Sequence, residues 1–319
     1  MSRWWAFVVP GLVVLMALVA CDERRSKIAN ASGDDGGIRD GGYVKVTRTP
    51  LYLDVRLFEM GGEVDVKNEY LLAVIVTSIF SDKEERRCSG VVIGPRLVLT
   101  TGHCVCMRPS IMLPKGSNAV IDVSECAHGA TVSTVRYKPP KDGIDGPSGA
   151  TWNNYRGVVR PHPEFKIILD DQSQVVSSKA DLAIIQLDRP VDVDVRGVPI
   201  ADTDVHVGES VVIVGYEYDE VANMFGEDRR FSRNKVTQLS ASEDERIRVE
   251  QLGGHLYKGD SGGPCLRQVG KMRALVGISS RNLGAGATFI STYPYRIWLH
   301  EELRRAVKLE SPVPQRPMK

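Results

Sequence analysis

Three short segments place a nucleophile, a base and an acid in one chain. Gly259-Asp260-Ser261-Gly262-Gly263-Pro264 sets a serine hydroxyl in a glycine-rich turn, and Leu99-Thr100-Thr101-Gly102-His103-Cys104 ends an apolar strand on an imidazole. Ala180-Asp181-Leu182-Ala183-Ile184-Ile185-Gln186-Leu187 opens another apolar strand with a carboxylate. A serine hydroxyl attacks an acyl carbon only when a base takes its proton, and the base works only when an acid orients it. The chain supplies these groups in the order His, Asp, Ser. The glycines around Ser261 let the backbone curl so that the hydroxyl projects, while the N–H groups of Gly259 and Ser261 converge where an oxyanion would form. Taken singly, a histidine is most often a satisfied core or surface residue, a strand-edge aspartate a cap, and a Gly-Ser pair a turn. The three blocks together outweigh those readings. His128, His162, His206 and His300 have no such setting and read as structural or surface residues, and no cluster of metal-ligand spacing stands out.

The elements that must position these groups read as strands. Short runs of Val, Ile, Leu and Thr, punctuated by Gly, Pro and Asp, occur at Leu71 to Phe80, Val91 to Thr100, Ala180 to Leu187, Glu209 to Gly215, Ala274 to Ser279 and Thr288 to Thr292. With 30 Gly and 17 Pro in 319 residues, an all-β chain of one or two barrels fits better than a helical bundle. The polar stretch from Arg108 to Gly157 carries few strand signals and reads as long surface loops. A division between two barrels falls near Asp188 to Gly197, giving a first barrel over about 60–190 and a second over about 195–293. Ile297, Leu299, Leu303 and Val307 recur at helical intervals, predicting a C-terminal helix over about 295–309. Pro312, Pro314 and Pro317 then make 311–319 a disordered tail.

The charge balance, 41 Lys and Arg against 40 Asp and Glu, lacks the basic excess of a nucleic-acid binder, and the mean hydropathy is too low for a chain of many membrane spans. The N-terminus differs in kind from the rest. Arg3 precedes an apolar run from Trp4 to Ala20, which stops at Cys21 and a charged stretch beginning with Asp22. A transmembrane anchor is one reading of such a run, but its short length and abrupt end favour an export signal. Leu18-Val19-Ala20-Cys21 resembles the bacterial lipobox, in which the cysteine thiol is lipidated and becomes the mature terminus. Residues 1–20 are thus expected to be a lipoprotein signal peptide, and 21–42, rich in Asp, Gly and Ser, a flexible tether. The expected location is exported and lipid-anchored to a bacterial membrane, facing the periplasm or the cell surface.

From about Glu69 to Val307 the sequence resembles the trypsin/chymotrypsin family of serine peptidases. Gly-Asp-Ser-Gly-Gly-Pro, the Thr-x-Gly-His-Cys block and the Asp-Leu-Ala-Ile-Ile-x-Leu block carry the resemblance. Cys88-Ser89-Gly90-Val91-Val92-Ile93 is similar to the family's Cys-Gly-Gly-x-Leu-Ile strand, and Arg160-Pro161-His162-Pro163-Glu164-Phe165 to its His-Pro-x-aromatic segment. The resemblance implies two six-stranded antiparallel β-barrels with a C-terminal helix, a peptidase domain spanning 43–310, and no cofactor. It implies His103 as general base and acid, Asp181 as its orienting carboxylate, and Ser261 as nucleophile. Gly259 and Ser261 would be the oxyanion donors. Protein or peptide substrates would be hydrolysed through an acyl-enzyme, and the alternative is a silent or zymogen-locked homologue acting as a binding or regulatory lipoprotein.

Of the six cysteines, the resemblance implies that Cys88 pairs with Cys104. With Cys21 lipidated, Cys106 and Cys126 are the remaining pair by elimination, and Cys265 is left as a buried free thiol. The family's Ile-Val-Gly-Gly terminus, which folds in to pair with the aspartate beside the nucleophile, is absent. The nearest match is Glu59-Met60-Gly61-Gly62, so Asp260 is expected to find a different partner. The resemblance also places His255 at the base of the pocket for the side chain before the cut, and Ser280 and Asn282 on its wall. Histidine there offers no attraction to Lys or Arg, so small, polar or acidic side chains are expected.

Overall fold

The computed structural model describes residues 62–81, 84–107, 118–140, 147–170, 175–219, 224–240, 245–250, 261–280 and 287–310. The expected signal peptide (1–20), Cys21, the expected tether (21–42) and the expected tail (311–319) lie outside these residues, as do Glu59, His255, Gly259, Asp260 and Asn282. Among the described residues no helix is long and apolar enough to cross a membrane.

In chain order the first half holds β1 (Glu63–Val64), β2 (Ala73–Ser81), β3 (Glu84–Gly94), β4 (Leu97–Thr100), the one-turn helix α1 (Gly102–Val105), β5 (Ala119–Asp122), β6 (Gly129–Tyr137), β7 (Ala150–Pro161), β8 (Lys166–Leu169), β9 (Val175–Lys179) and β10 (Ala183–Leu187). The second half holds β11 (Ser210–Asp219), β12 (Met224–Gln238), β13 (Arg246–Glu250), β14 (Pro264–Val269), β15 (Met272–Ser279), β16 (Ala287–Ser291) and α2 (Arg296–Glu310). Strands β10, β4, β3, β2, β6 and β7 close one antiparallel barrel. Strands β12, β11, β14, β15, β16 and β13 run in that order, and pairing of β12 with β13 closes a second six-stranded barrel. Strand β1 lies on β12, and β5, β8 and β9 form a small separate sheet.

Why several strands carry apolar residues on both faces follows from their period of two. In β10, Ala183, Ile185 and Leu187 point into the first barrel, whereas Ile184 faces the contact between barrels. In β11, Val211 and Ile213 fill the second barrel, whereas Val212 and Val214 face the same contact. The shared cluster runs from Val91, Leu97, Leu99 and Leu182 on one side to Leu266, Leu275, Ile278 and Ile290 on the other. Both faces of these strands are dry, so the two barrels are wedged together by apolar packing.

A buried ion pair crosses the same region. Arg229 of β12, fully buried, donates from Nε to Asp65 Oδ2 at 2.8 Å, from Nη1 to the Val135 carbonyl at 2.8 Å, and from Nη2 to Asn68 Oδ1 at 3.2 Å. Asp65 also accepts from the backbone N–H groups of Glu69 and Tyr70. The segment after β1 is therefore tied at once to a strand of each barrel.

Two expectations need correction. The stretch from Arg108 to Gly157 is not merely loop, because β5, β6 and most of β7 lie in it. Strand β6 alternates over its first half, with Ala130 and Val132 buried between partly exposed neighbours, before Thr134 and Val135 are buried in succession, but β7 begins with exposed residues and is held by its ladder to β6 rather than by apolar content. In α2, Leu299 and Ala306 are buried and Leu303 packs against the core, whereas Ile297 and Val307 stay exposed. Spacings of three and four residues put Leu299, Leu303 and Ala306 on one face, and Ile297 and Val307 fall off it.

Candidate active site

His103 sits where a buried strand runs out. All of β4 is buried, and the chain leaves it at Thr101 to form α1, one turn containing His103 and Cys104. Gly102 opens that turn against the Phe165 ring, where a Cβ would come within 2.6 Å of the aromatic carbons. The two ends of the turn are then fastened. Cys104 is disulfide-bonded to Cys88 of β3, and Cys106 to Cys126. Arg86 Nη1 donates to the His103 carbonyl at 2.6 Å and to the Cys106 carbonyl at 3.2 Å, satisfying acceptors that so short a helix cannot satisfy itself.

Asp181 precedes β10 and is buried. Its Oδ1 accepts from the His103 backbone N–H at 2.9 Å, and its Oδ2 lies 2.7 Å from the His103 Nδ1. Ser280 Oγ donates to Oδ2 at 3.2 Å. Burial alone would raise the Asp181 pKa, but the His103 imidazole and the hydrogen bonds from His103 and Ser280 outweigh it, so the carboxyl titrates below its ordinary range. Against an ionised Asp181, Nδ1 is the protonated ring nitrogen, which leaves Nε2 as the one able to accept a proton.

Ser261 enters from the second barrel. Its carbonyl accepts from the Ser89 N–H at 2.9 Å, beside Cys88 on β3, and lies 3.7 Å from the Cys104 sulfur, one residue beyond His103. Gly262 has φ of +87°, and its N–H donates to the Ser279 carbonyl at 2.8 Å. A Cβ on Gly262 would meet the Ser89 carbonyl oxygen and Thr100 Oγ1, both at 2.2 Å, so only glycine lets the serine turn lie this close to β3 and β4.

Of the residues singled out from sequence, His103, Asp181, Ser261 and Ser280 are gathered where the barrels meet, and His255, Gly259 and Asn282 lie outside the described residues. Ser280, expected on the pocket wall, turns its hydroxyl to Asp181, and no residue pattern announced that contact. His162 is buried edge-on against Tyr295 and Trp298. His206 is an exposed partner of Glu209. Cys265 is a buried free thiol whose pKa burial pushes well up. Among the described residues no group of three or more His, Cys, Asp or Glu side chains is placed to hold a metal ion.

Solved structures share this architecture. The scabies mite inactivated protease paralogue S-I1 aligns at 18% identity and a TM-score of 0.52 over 77% of this chain and 99% of its own. A structure of GrC aligns at 16% identity and a TM-score of 0.55 over 76% of this chain and 98% of its own. No curated protein sequence matches the chain. Residues 88–278 match the family model of the trypsin-like peptidase domain, which is more than half of the sequence, and the chain belongs to that family.

Proposed function

We propose that the protein is a serine endopeptidase that cleaves peptide bonds through Ser261, His103 and Asp181. The observation that carries this reading is the buried contact of His103 Nδ1 with Asp181 Oδ2 at 2.7 Å, with the backbone of Ser261 docked against the turn that carries His103. In the proposed reaction His103 Nε2 takes the Ser261 hydroxyl proton as its oxygen attacks the peptide carbonyl. The Gly259 and Ser261 N–H groups stabilise the oxyanion. The imidazolium, stabilised by Asp181, then protonates the leaving amine. Water, deprotonated by the same nitrogen, attacks the acyl-enzyme and restores the serine. A carboxylate held at both oxygens by one histidine cannot rotate away from the ring, which keeps Nδ1 the donor throughout.

Membership of the peptidase family implies protein or peptide substrates. The lipobox-like Leu18-Val19-Ala20-Cys21 supports anchoring of the mature protein through a lipid on Cys21, and the two disulfides accord with an exported chain. Fatty-acid analogue labelling that marks wild type and spares Cys21→Ser is the expected result, and an unlabelled, soluble wild type contradicts the anchor. We assign the folded domain to 43–310, with His255, Ser280 and Asn282 at the pocket for the residue before the cut.

A fluorophosphonate probe tests the reading. Protein starting near Gly42 should be labelled directly on Ser261, identified by peptide mass spectrometry. Labelling only after proteolysis near Glu59 would instead mark a zymogen, and an unlabelled protein under both conditions would mark a silent homologue.

A further inference from the structure

The peptide bond just before Asp181 is held in an unusual way. Ala180 has φ of +48°, a left-handed conformation that an L-residue with a Cβ adopts at a cost of about 1–2 kcal/mol. Such a conformation persists only where its surroundings impose it. The Ala180 N–H donates to two acceptors, Glu245 Oε2 at 2.8 Å and Tyr295 Oη at 3.1 Å, although one would satisfy it. Tyr295 in turn donates its hydroxyl proton to Glu245 Oε2. On the other side of the residue, the Ala180 carbonyl accepts from the Leu182 N–H at 2.6 Å, closing a three-residue turn with Asp181 at its apex.

These groups come from separate parts of the molecule. Ala180 belongs to the first barrel's approach to β10, Glu245 immediately precedes β13 of the second barrel, and Tyr295 immediately precedes α2. Tyr295 is itself fixed edge-on by the His162 ring, whose backbone N–H donates to the Leu182 carbonyl at 2.8 Å. Burial, then the hydrogen bond and charge of Glu245, raise the Tyr295 pKa and keep its hydroxyl a donor.

We propose that Glu245 and Tyr295 are positioning residues for the reaction: by gripping the Ala180 N–H from the second barrel and α2, they set the turn that aims Asp181 at His103. The inference rests on the peptidase reading above for its kinetic consequence, and on geometry alone for its effect on the His103–Asp181 contact.

The test uses Glu245→Ala, Glu245→Gln and Tyr295→Phe, each measured for kcat and KM on a cleaved peptide and for the low-field proton resonance of His103 Nδ1–H. Glu245→Ala should lower kcat by about 10- to 100-fold, as expected for a small misplacement of a reacting group, with KM within about twofold. Its resonance should shift or broaden. Glu245→Gln keeps an acceptor oxygen and should recover kcat to within about threefold, as should the resonance position. Tyr295→Phe keeps the ring packed on His162 and should lower kcat by about three- to tenfold, so it carries the test should Glu245→Ala not fold. An unchanged resonance and kcat in Tyr295→Phe and Glu245→Ala, with only a lowered Tm, overturns the proposal. Should the wild type neither turn over peptide nor react with a fluorophosphonate, the peptidase reading fails, and the resonance still decides whether the pair sets Asp181.

Discussion

Replacing Gly262 by alanine separates two costs that usually arrive together. Gly262 and Gly270 both have positive φ, +87° and +62°, but a Cβ on Gly270 would meet nothing within 4 Å, whereas one on Gly262 would sit 2.2 Å from both the Ser89 carbonyl oxygen and Thr100 Oγ1. The left-handed backbone alone costs alanine about 1–2 kcal/mol, offset by about 0.4–1 kcal/mol from the stiffer unfolded chain. Gly270→Ala should therefore lose at most about 1.6 kcal/mol. Gly262→Ala adds an overpacking cost of about 1–3 kcal/mol, because neither the β3 carbonyl nor the β4 threonine can withdraw without breaking the Thr100 Oγ1–Ser89 hydrogen bond of 2.8 Å. Urea unfolding of both variants, followed by tryptophan fluorescence, measures the difference directly. The fluorophosphonate reaction rate should fall sharply for Gly262→Ala alone, since relief of the clash moves Ser261 away from β3. Equal stability losses in the two variants, or an unchanged labelling rate in Gly262→Ala, would refute the packing explanation.

Arg229→Met should destabilise by about 3–5 kcal/mol in urea unfolding, because Asp65 is left buried without its partner, and adding Asp65→Leu should recover part of that loss; no recovery would mean that the uncompensated charge is not the cause. Stability should fall as the pH drops below about 4, since Asp181 and Glu209 both have depressed pKa values: their contribution is complete above the ordinary carboxylate range and is lost as the pH falls through the lowered folded values. For Glu209, burial works against ionisation and the two-point contact with Arg267, at 2.6 and 3.1 Å, overcomes it, so thermal melts of Arg267→Ala should show a shallower acid limb than wild type. His255→Asp should shift cleavage in a fluorogenic peptide library toward Arg and Lys before the cut, and wild type that already prefers those residues would show the pocket assignment to be wrong.

The candidate site was legible in sequence to the extent that chemistry restricts residue types. A serine followed by a glycine whose Cβ would strike Ser89 and Thr100, and a histidine at the end of a doubly buried strand, leave short patterns with few alternatives. Strands β4 and β10 were legible for a related reason, since packing on both faces makes their sequences apolar at nearly every position. Strand β7 was not, because Thr151, Trp152, Asn153 and Asn154 are exposed and its extension is imposed by hydrogen bonding to β6. Arg229 stands in the run Glu227-Asp228-Arg229-Arg230, which reads as a solvated charge cluster, yet its main partner, Asp65, is 164 residues away. The same applies to Glu245, within Glu243-Asp244-Glu245-Arg246, whose bond to Ala180 spans 65 residues. Long-range polar partnerships of this kind leave no periodicity to read.

Ser261, His103 and Asp181 acting as one unit is tested most directly by kcat/KM of Ser261→Ala, His103→Ala and the double variant on one peptide that the wild type cleaves. Because each substitution removes a step of one shared proton transfer, either alone should cost about 10⁴- to 10⁶-fold, and the double variant little more than either. Costs that multiply in the double variant, or near-normal turnover in either single variant with its fold intact, would contradict the proposed mechanism.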